Sequence, residues 1–167
     1  EAFHTAGGLP TMAFRYEGKN PTMEDKKLRY PGHAHIMEAI RDLGLLDLTP
    51  VDVKGVKVVP RDVFVSTVGP RLTKPKGRDL VALRVLVDGT KDGQPKQLGW
   101  ELLDYYDEAR GISAMMRTTG YSLSITGQMQ ARGEVKPAGV HTPDECVPAA
   151  AYMAELAKRG IVVRALS

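Results

Sequence analysis

Cysteine is nearly absent from this chain, with Cys146 alone among 167 residues. That excludes an intrachain disulfide framework and any multi-cysteine zinc site, and it fits a reducing compartment. As a catalytic thiol Cys146 is poorly placed, because the neighbouring Asp144 and Glu145 disfavour a thiolate. No apolar run approaches the roughly 18 residues that span a bilayer, and no signal-peptide pattern opens the chain. The expectation is a soluble, cytoplasmic protein with no membrane partner. Aromatic residues make up only 6 % and the net charge is only +3, with Lys and Arg scattered, which argues against a nucleic-acid surface. Neither a GxGxxG nor a GxxxxGK[ST] loop is present, so neither a dinucleotide nor a nucleoside triphosphate is expected to bind this chain in the usual ways. Metal-ligand spacings and a Gly-x-Ser-x-Gly elbow are missing too. The chain starts at Glu1 without an initiator methionine and opens on the small-residue segment Ala6-Gly7-Gly8. It reads as a fragment of something longer.

What is present is ordinary in bulk and unusual in one place. With 43 % apolar and 26 % charged residues, 167 residues are enough for one domain with a real core. The unusual stretch is Lys27-Leu28-Arg29-Tyr30-Pro31-Gly32-His33-Ala34-His35. Pro31-Gly32 makes a turn, and helical spacing follows from about His33, with Ile36, Met37, Ile40 and Leu43 on one stripe and Gly44 ending it. His33 lies on that stripe and is expected to face a core or cleft, whereas His35 points with Glu38 and Asp42 toward solvent. Arg29 offers a planar fork suited to a carboxylate, and the imidazoles exchange protons near neutral pH. A small acidic substrate would suit this group. A plain turn and helix start with solvated side chains would look the same.

Along the rest of the chain, residues 9–17 read as a strand by the alternation of Met12, Phe14 and Tyr16. Val56 to Val59 reads as a short strand, and Pro60 as the first turn of a helix to about Leu72, with Gly69-Pro70 disturbing its end. After the basic turn Thr73 to Arg78, a hairpin is expected, with strands 79–87 and 96–106 and an eight-residue loop, 88–95. Its first arm is apolar on both faces, which predicts burial on both sides by helices or by a second copy, with Trp100, Tyr105 and Tyr106 as anchors. Residues 112–119 read as a strand ending in Thr118-Thr119-Gly120, followed by a helix on Tyr121, Ile125 and Met129 that Gly133 stops. Free amides and hydroxyls at Thr118-Thr119-Gly120 would then meet an anionic or amide group of a ligand, or simply cap the helix. His141 is given a surface role. A last helix on Ala149, Tyr152, Met153 and Leu156, closed by Gly160, leads to a strand, 161–166, like the final αβ unit of an open α/β sheet.

Lys27-Leu28-Arg29-Tyr30-Pro31-Gly32-His33, the run Met37 to Leu46 and Arg117-Thr118-Thr119-Gly120-Tyr121 together resemble the latter part of the saccharopine dehydrogenase and lysine 6-dehydrogenase family. Ala131 to Glu134, Gly139-Val140, Cys146-Val147-Pro148 and Glu155 to Ile161 extend the resemblance over nearly the whole chain. It implies an α/β (α+β) domain, 1–167, with a mixed β-sheet flanked by helices. From about residue 118 onward, a C-terminal segment would pack toward an N-terminal Rossmann domain that binds NAD or NADP and lies outside this chain. No cofactor is expected in the chain itself, and a homodimer is implied. By the same resemblance Arg29 holds the carboxylate of an amino-acid substrate, lysine or saccharopine, His33 transfers a proton, and Thr118 and Thr119 line the cleft, while Tyr30 either packs or contacts the substrate. Within the family the spelling leans toward lysine 6-dehydrogenase. A non-catalytic assembly or small-acid-binding module on the same fold is the alternative.

Overall fold

A computed structural model describes residues 1–5, 8–9, 11–73 and 77–166, which divide into two compact units, Glu1–Lys76 and Gly77–Ser167. Ala6 and Gly7 of the opening segment, and Lys74, Pro75 and Lys76 of the basic turn, lie outside the described residues.

In the first unit, β1 (Ala2–His4) pairs antiparallel with β2 (Lys26–Leu28), in the register Ala2↔Leu28, Phe3↔Lys27, His4↔Lys26. Between them lies one helical turn, α1 (Met12–Arg15), where the sequence predicts a strand. The alternating Met12 and Phe14 find no strand to pair with, and the backbone closes on itself instead, Arg15 N donating to Thr11 O and Tyr16 N to Met12 O. The helix after the Pro-Gly turn is as expected: α2 runs His33–Asp42, and Gly44 at φ +74 supplies the left-handed stop. A small hairpin follows, β3 (Val51–Val53) and β4 (Val56–Val58), turning on Lys54 and Gly55 at φ 53 and 84. Two positive φ angles match a hairpin turn to the twist of its strands. Pro60 opens α3 (Pro60–Leu72), which stays helical through Pro70.

The second unit carries the core. β5 (Leu80–Lys91) and β6 (Gln94–Tyr105) pair residue for residue from Leu80↔Tyr105 to Lys91↔Gln94. The turn is only Asp92-Gly93, at φ 54 and 74, so the expected eight-residue loop is mostly strand. Pro95 is tolerated because β7 (Val163–Leu166) reaches only Gly99 to Leu102 of β6, leaving the outer edge at Pro95 without a ladder bond to lose. β7 is antiparallel to β6, and every described strand pairing is antiparallel. The α+β class therefore stands. The mixed sheet and the open α/β ending do not describe these strands.

Where a strand is expected at 112–119, the chain forms a long helix, α4 (Ala114–Ala131). β-branched Ile112, Thr118 and Thr119 favour extension, but two carboxylate and hydroxyl caps decide the matter. Ser113 Oγ accepts from Met116 N (3.0 Å), while Asp79 Oδ1 and Oδ2 accept from Ala114 N (2.7 Å) and Met115 N (2.9 Å). Gly133, at φ +69, ends the helix as predicted. The short α5 (Pro143–Cys146) and α6 (Ala149–Lys158) complete the unit. Ile125 and Met129 of α4, Leu156 of α6, Leu102 of β6 and Ile161 form the core, with Tyr121, Tyr152, Val81 and Val163 packed against it. Paired residues share a face, so the helices pack on the face that carries Leu83, Val85, Trp100, Leu102 and Asp104, covering Leu102 and Asp104 but leaving Leu83 and Val85 exposed. The opposite face bears Leu80, Leu86, Leu103 and Tyr105, all exposed. Burial of β5 on both sides is thus not met: Leu83, Val85, Leu86 and Val87 are 43–56 % exposed.

Candidate functional site

The Arg29–His33 turn joins the end of β2 to the start of α2. Beyond the last register pair Arg29 lies opposite Glu1, Arg29 N donating to Glu1 O (3.0 Å) and the terminal ammonium of Glu1 to Arg29 O (2.8 Å). Gly32 takes φ +93 at the N-cap, a conformation that L side chains rarely adopt, which explains the glycine. It brings no capping side chain, and the Ala34 amide is instead capped by Glu1 Oε1 at 2.8 Å. The amide of Ala34, against some desolvation and with help from the Gly32 amide, holds the Glu1 carboxyl below its ordinary range.

The side chains that carry the expected chemistry are open to solvent. Tyr30 is 80 % exposed, so it is not packing against a core. His33 is exposed as well, with its ring stacked on Phe3 at 6.0 Å between centroids and 18° between planes. Its expected place against a core fails because the stripe it shares is itself uncovered, Ile36 being 60 % and Leu43 77 % exposed. His35 is exposed as predicted. Arg29 donates Nη1 to Leu28 O (2.7 Å). Arg41, Arg78, Arg84, Arg110, Arg117, Arg132 and Arg159 each meet a carboxylate, whereas among the described residues Arg29, like Arg61, Arg71 and Arg164, meets none.

Thr118 and Thr119 belong to the second unit and sit inside α4, not at a strand end. Their amides are committed to the helix. Thr118 Oγ1 donates to Ala114 O (2.9 Å) and Thr119 Oγ1 contacts Met115 Sδ (3.5 Å). The free-amide reading of Thr118-Thr119-Gly120 is thereby removed. What this motif builds is an ion cluster around Arg117, buried at 7 % exposure together with Asp104. Arg117 Nε and Nη2 grip Asp104 Oδ2 and Oδ1 (2.9 and 3.2 Å), Nη1 donates to Asp107 Oδ2 (3.0 Å), and Nη2 also reaches Arg159 O (3.3 Å). The Tyr121 ring stacks beneath the guanidinium at 5.7 Å. Hydrogen bonding to Asp104, against some desolvation, raises the Arg117 pKa further.

Two residues escaped the sequence reading, Glu1 and Arg117. For Glu1 there was no local signal, since its partner is 33 positions away. For Arg117 the signal was visible in its place one helical turn before Tyr121, but only a helix makes those residues neighbours. The second unit also holds an apolar recess of about 250 Å³ between Leu83, Val85, Trp100, Leu102, Met153 and Val163. Glu101 is the one charged residue on its lining, which is otherwise apolar. Among the described residues no group of three His, Cys, Asp or Glu could hold a metal ion, and no helix is long and apolar enough to cross a membrane. At the start of α2 the Ala34 amide is taken by Glu1, and at the start of α4 the first three amides are taken by Asp79 and Ser113. In comparison with known proteins, the family model described as the saccharopine dehydrogenase C-terminal domain matches residues 1–161.

Proposed function

The chain belongs to the saccharopine dehydrogenase C-terminal domain family, and on that premise we propose that it forms the substrate-binding and dimerisation part of an NAD(P)-dependent amino-acid dehydrogenase oxidising a C–N bond of lysine or saccharopine. Membership makes it one part of a larger multidomain oxidoreductase. The observation that carries the substrate half is Arg29: a guanidinium beside the exposed Tyr30, close in sequence to an exposed His33, with no carboxylate of its own. A bidentate carboxylate is the ligand that best fits that fork. His33, on the first turn of α2, takes up a proton released from the reacting amine or from the attacking water. Hydride acceptance is the nucleotide's chemistry. Its binding falls to the Rossmann domain of the same polypeptide, and Thr118 and Thr119 are left as cleft-lining by family analogy alone.

The dimer half draws on β5. This 12-residue edge strand has no Pro and a single charge, Arg84, before Asp88, and that charge is already paired with Glu101. Long apolar edges of this kind are normally covered. The lone Cys146 supports a reducing, cytoplasmic setting. Assaying the full-length protein with lysine and with saccharopine, each against NAD and NADP, tests the proposal. Reduction of a nucleotide by one of the two amino acids is expected; no turnover of either overturns it.

A further inference from the structure

We propose that Glu1 is a positioning residue for the Arg29–His33 turn, a role that rests on the assignment of that turn to substrate binding. Arg29 N donates to Glu1 O (3.0 Å), and Arg29 O accepts from the terminal ammonium of Glu1 (2.8 Å). The first turn of α2 leaves its amides without intrahelical partners, as every helix does. Gly32, at the N-cap, has no side chain to offer, and the carboxylate of Glu1 takes the Ala34 amide at 2.8 Å. One residue thus fastens the turn at both ends, by its backbone before the turn and by its side chain after it.

The neighbouring strand positions follow the same logic. Side chains two apart on a strand share a face, and Phe3, two residues after Glu1, stacks on the His33 ring at 6.0 Å. One face of β1 therefore supplies an anion to the helix amides and a ring to the imidazole. An anion at a helix N-terminus is also favoured by the helix dipole. Because the carboxylate is engaged with amides, it does not neutralise Arg29, which stays available to a substrate anion. Loosening Glu1 frees the α2 start and the backbone that aims Arg29.

The experiment uses the full-length enzyme with Glu1→Ala, Glu1→Gln and, in parallel, Arg29→Ala. Steady-state KM and kcat are measured for amino acid and nucleotide, with amide hydrogen exchange over residues 29–37. Glu1→Ala is expected to speed exchange at the start of α2 by about five- to tenfold, the factor a lost N-cap gives. It should also raise KM for the amino acid about tenfold while KM for the nucleotide holds. Glu1→Gln keeps an acceptor oxygen and should retain most of both properties. Unchanged exchange in Glu1→Ala overturns the proposal, as does faster exchange with unchanged amino-acid KM when Arg29→Ala raises it. If Arg29→Ala itself leaves KM unchanged, it is the substrate assignment of Arg29 that fails. Exchange then decides the bracing role of Glu1 by itself.

Discussion

Arg117 shows how much one side chain can organise. Its guanidinium satisfies two carboxylates and a carbonyl from three stretches of chain, at 7 % exposure. Removing it strands Asp104 in a buried site, where an uncompensated charge is costly. Arg117→Met should destabilise the protein by about 3 kcal/mol in urea titration, and the double variant with Asp104→Leu should recover a substantial part of that loss. Full additivity of the two changes would contradict the pairing. Glu155 gives a pH signature. Hydrogen bonds from Lys158 and then Arg159 depress its carboxyl from an ordinary 4.5 to about 2. A depressed folded-state value means that the stabilisation is complete above about 4.5 and is lost as pH falls toward about 2. The difference in Tm between wild type and Glu155→Gln should accordingly be largest near neutral pH and shrink steadily as pH falls through about 2; a constant difference would show that Glu155 acts only by packing.

Whether an element could be foreseen depended on where its partners lay. α2, α6 and the C-terminal part of α4 were legible because periodicity and glycine stops are local: Ile125 and Met129 are fully buried as their spacing predicts. The start of α4 was not, because Asp79, 35 positions earlier, supplies the cap that turns a β-prone run into helix. Inside the helix Thr118-Thr119-Gly120 has no strand end from which to present free amides. β1 and β2 escaped for the same reason, each three residues long and meaningful only as a pair. The hairpin was foreseen as an element, but its turn was placed too broadly, since Asp92-Gly93 alone satisfies both positive φ angles. At the candidate site, the residue types of Arg29 and His33 stand out in the sequence, whereas the contacts that Glu1 and Phe3 make with this turn leave no local signal. β5 carries the element-scale prediction. In the full-length protein, Leu86→Lys on the exposed sheet face should weaken the proposed dimer at least about tenfold by light scattering or sedimentation, as a charge buried in an apolar interface costs more than 1.4 kcal/mol. A dimer of unchanged affinity would place the interface elsewhere.

At the scale of the whole chain, burial is uneven. Every buried residue among those described lies in the second unit, and none in the first. The first unit instead exposes Phe14 at 80 %, Leu43 at 77 % and Leu72 at 74 %. A segment of that size with no buried side chain lacks the apolar burial that stabilises a free-standing domain. Membership in the saccharopine dehydrogenase family supplies a reason, since the chain is one part of a larger enzyme. On the proposed reading, the exposed turn of Arg29, Tyr30 and His33 is half of an active site whose nucleotide half is elsewhere in the polypeptide. The most direct test is the steady-state kinetics of Arg29→Ala in the full-length enzyme. KM for the amino acid is expected to rise about tenfold to hundredfold, as follows from losing a charged hydrogen-bonded contact, while KM for the nucleotide is unchanged. Wild-type KM for lysine or saccharopine in the variant would contradict it.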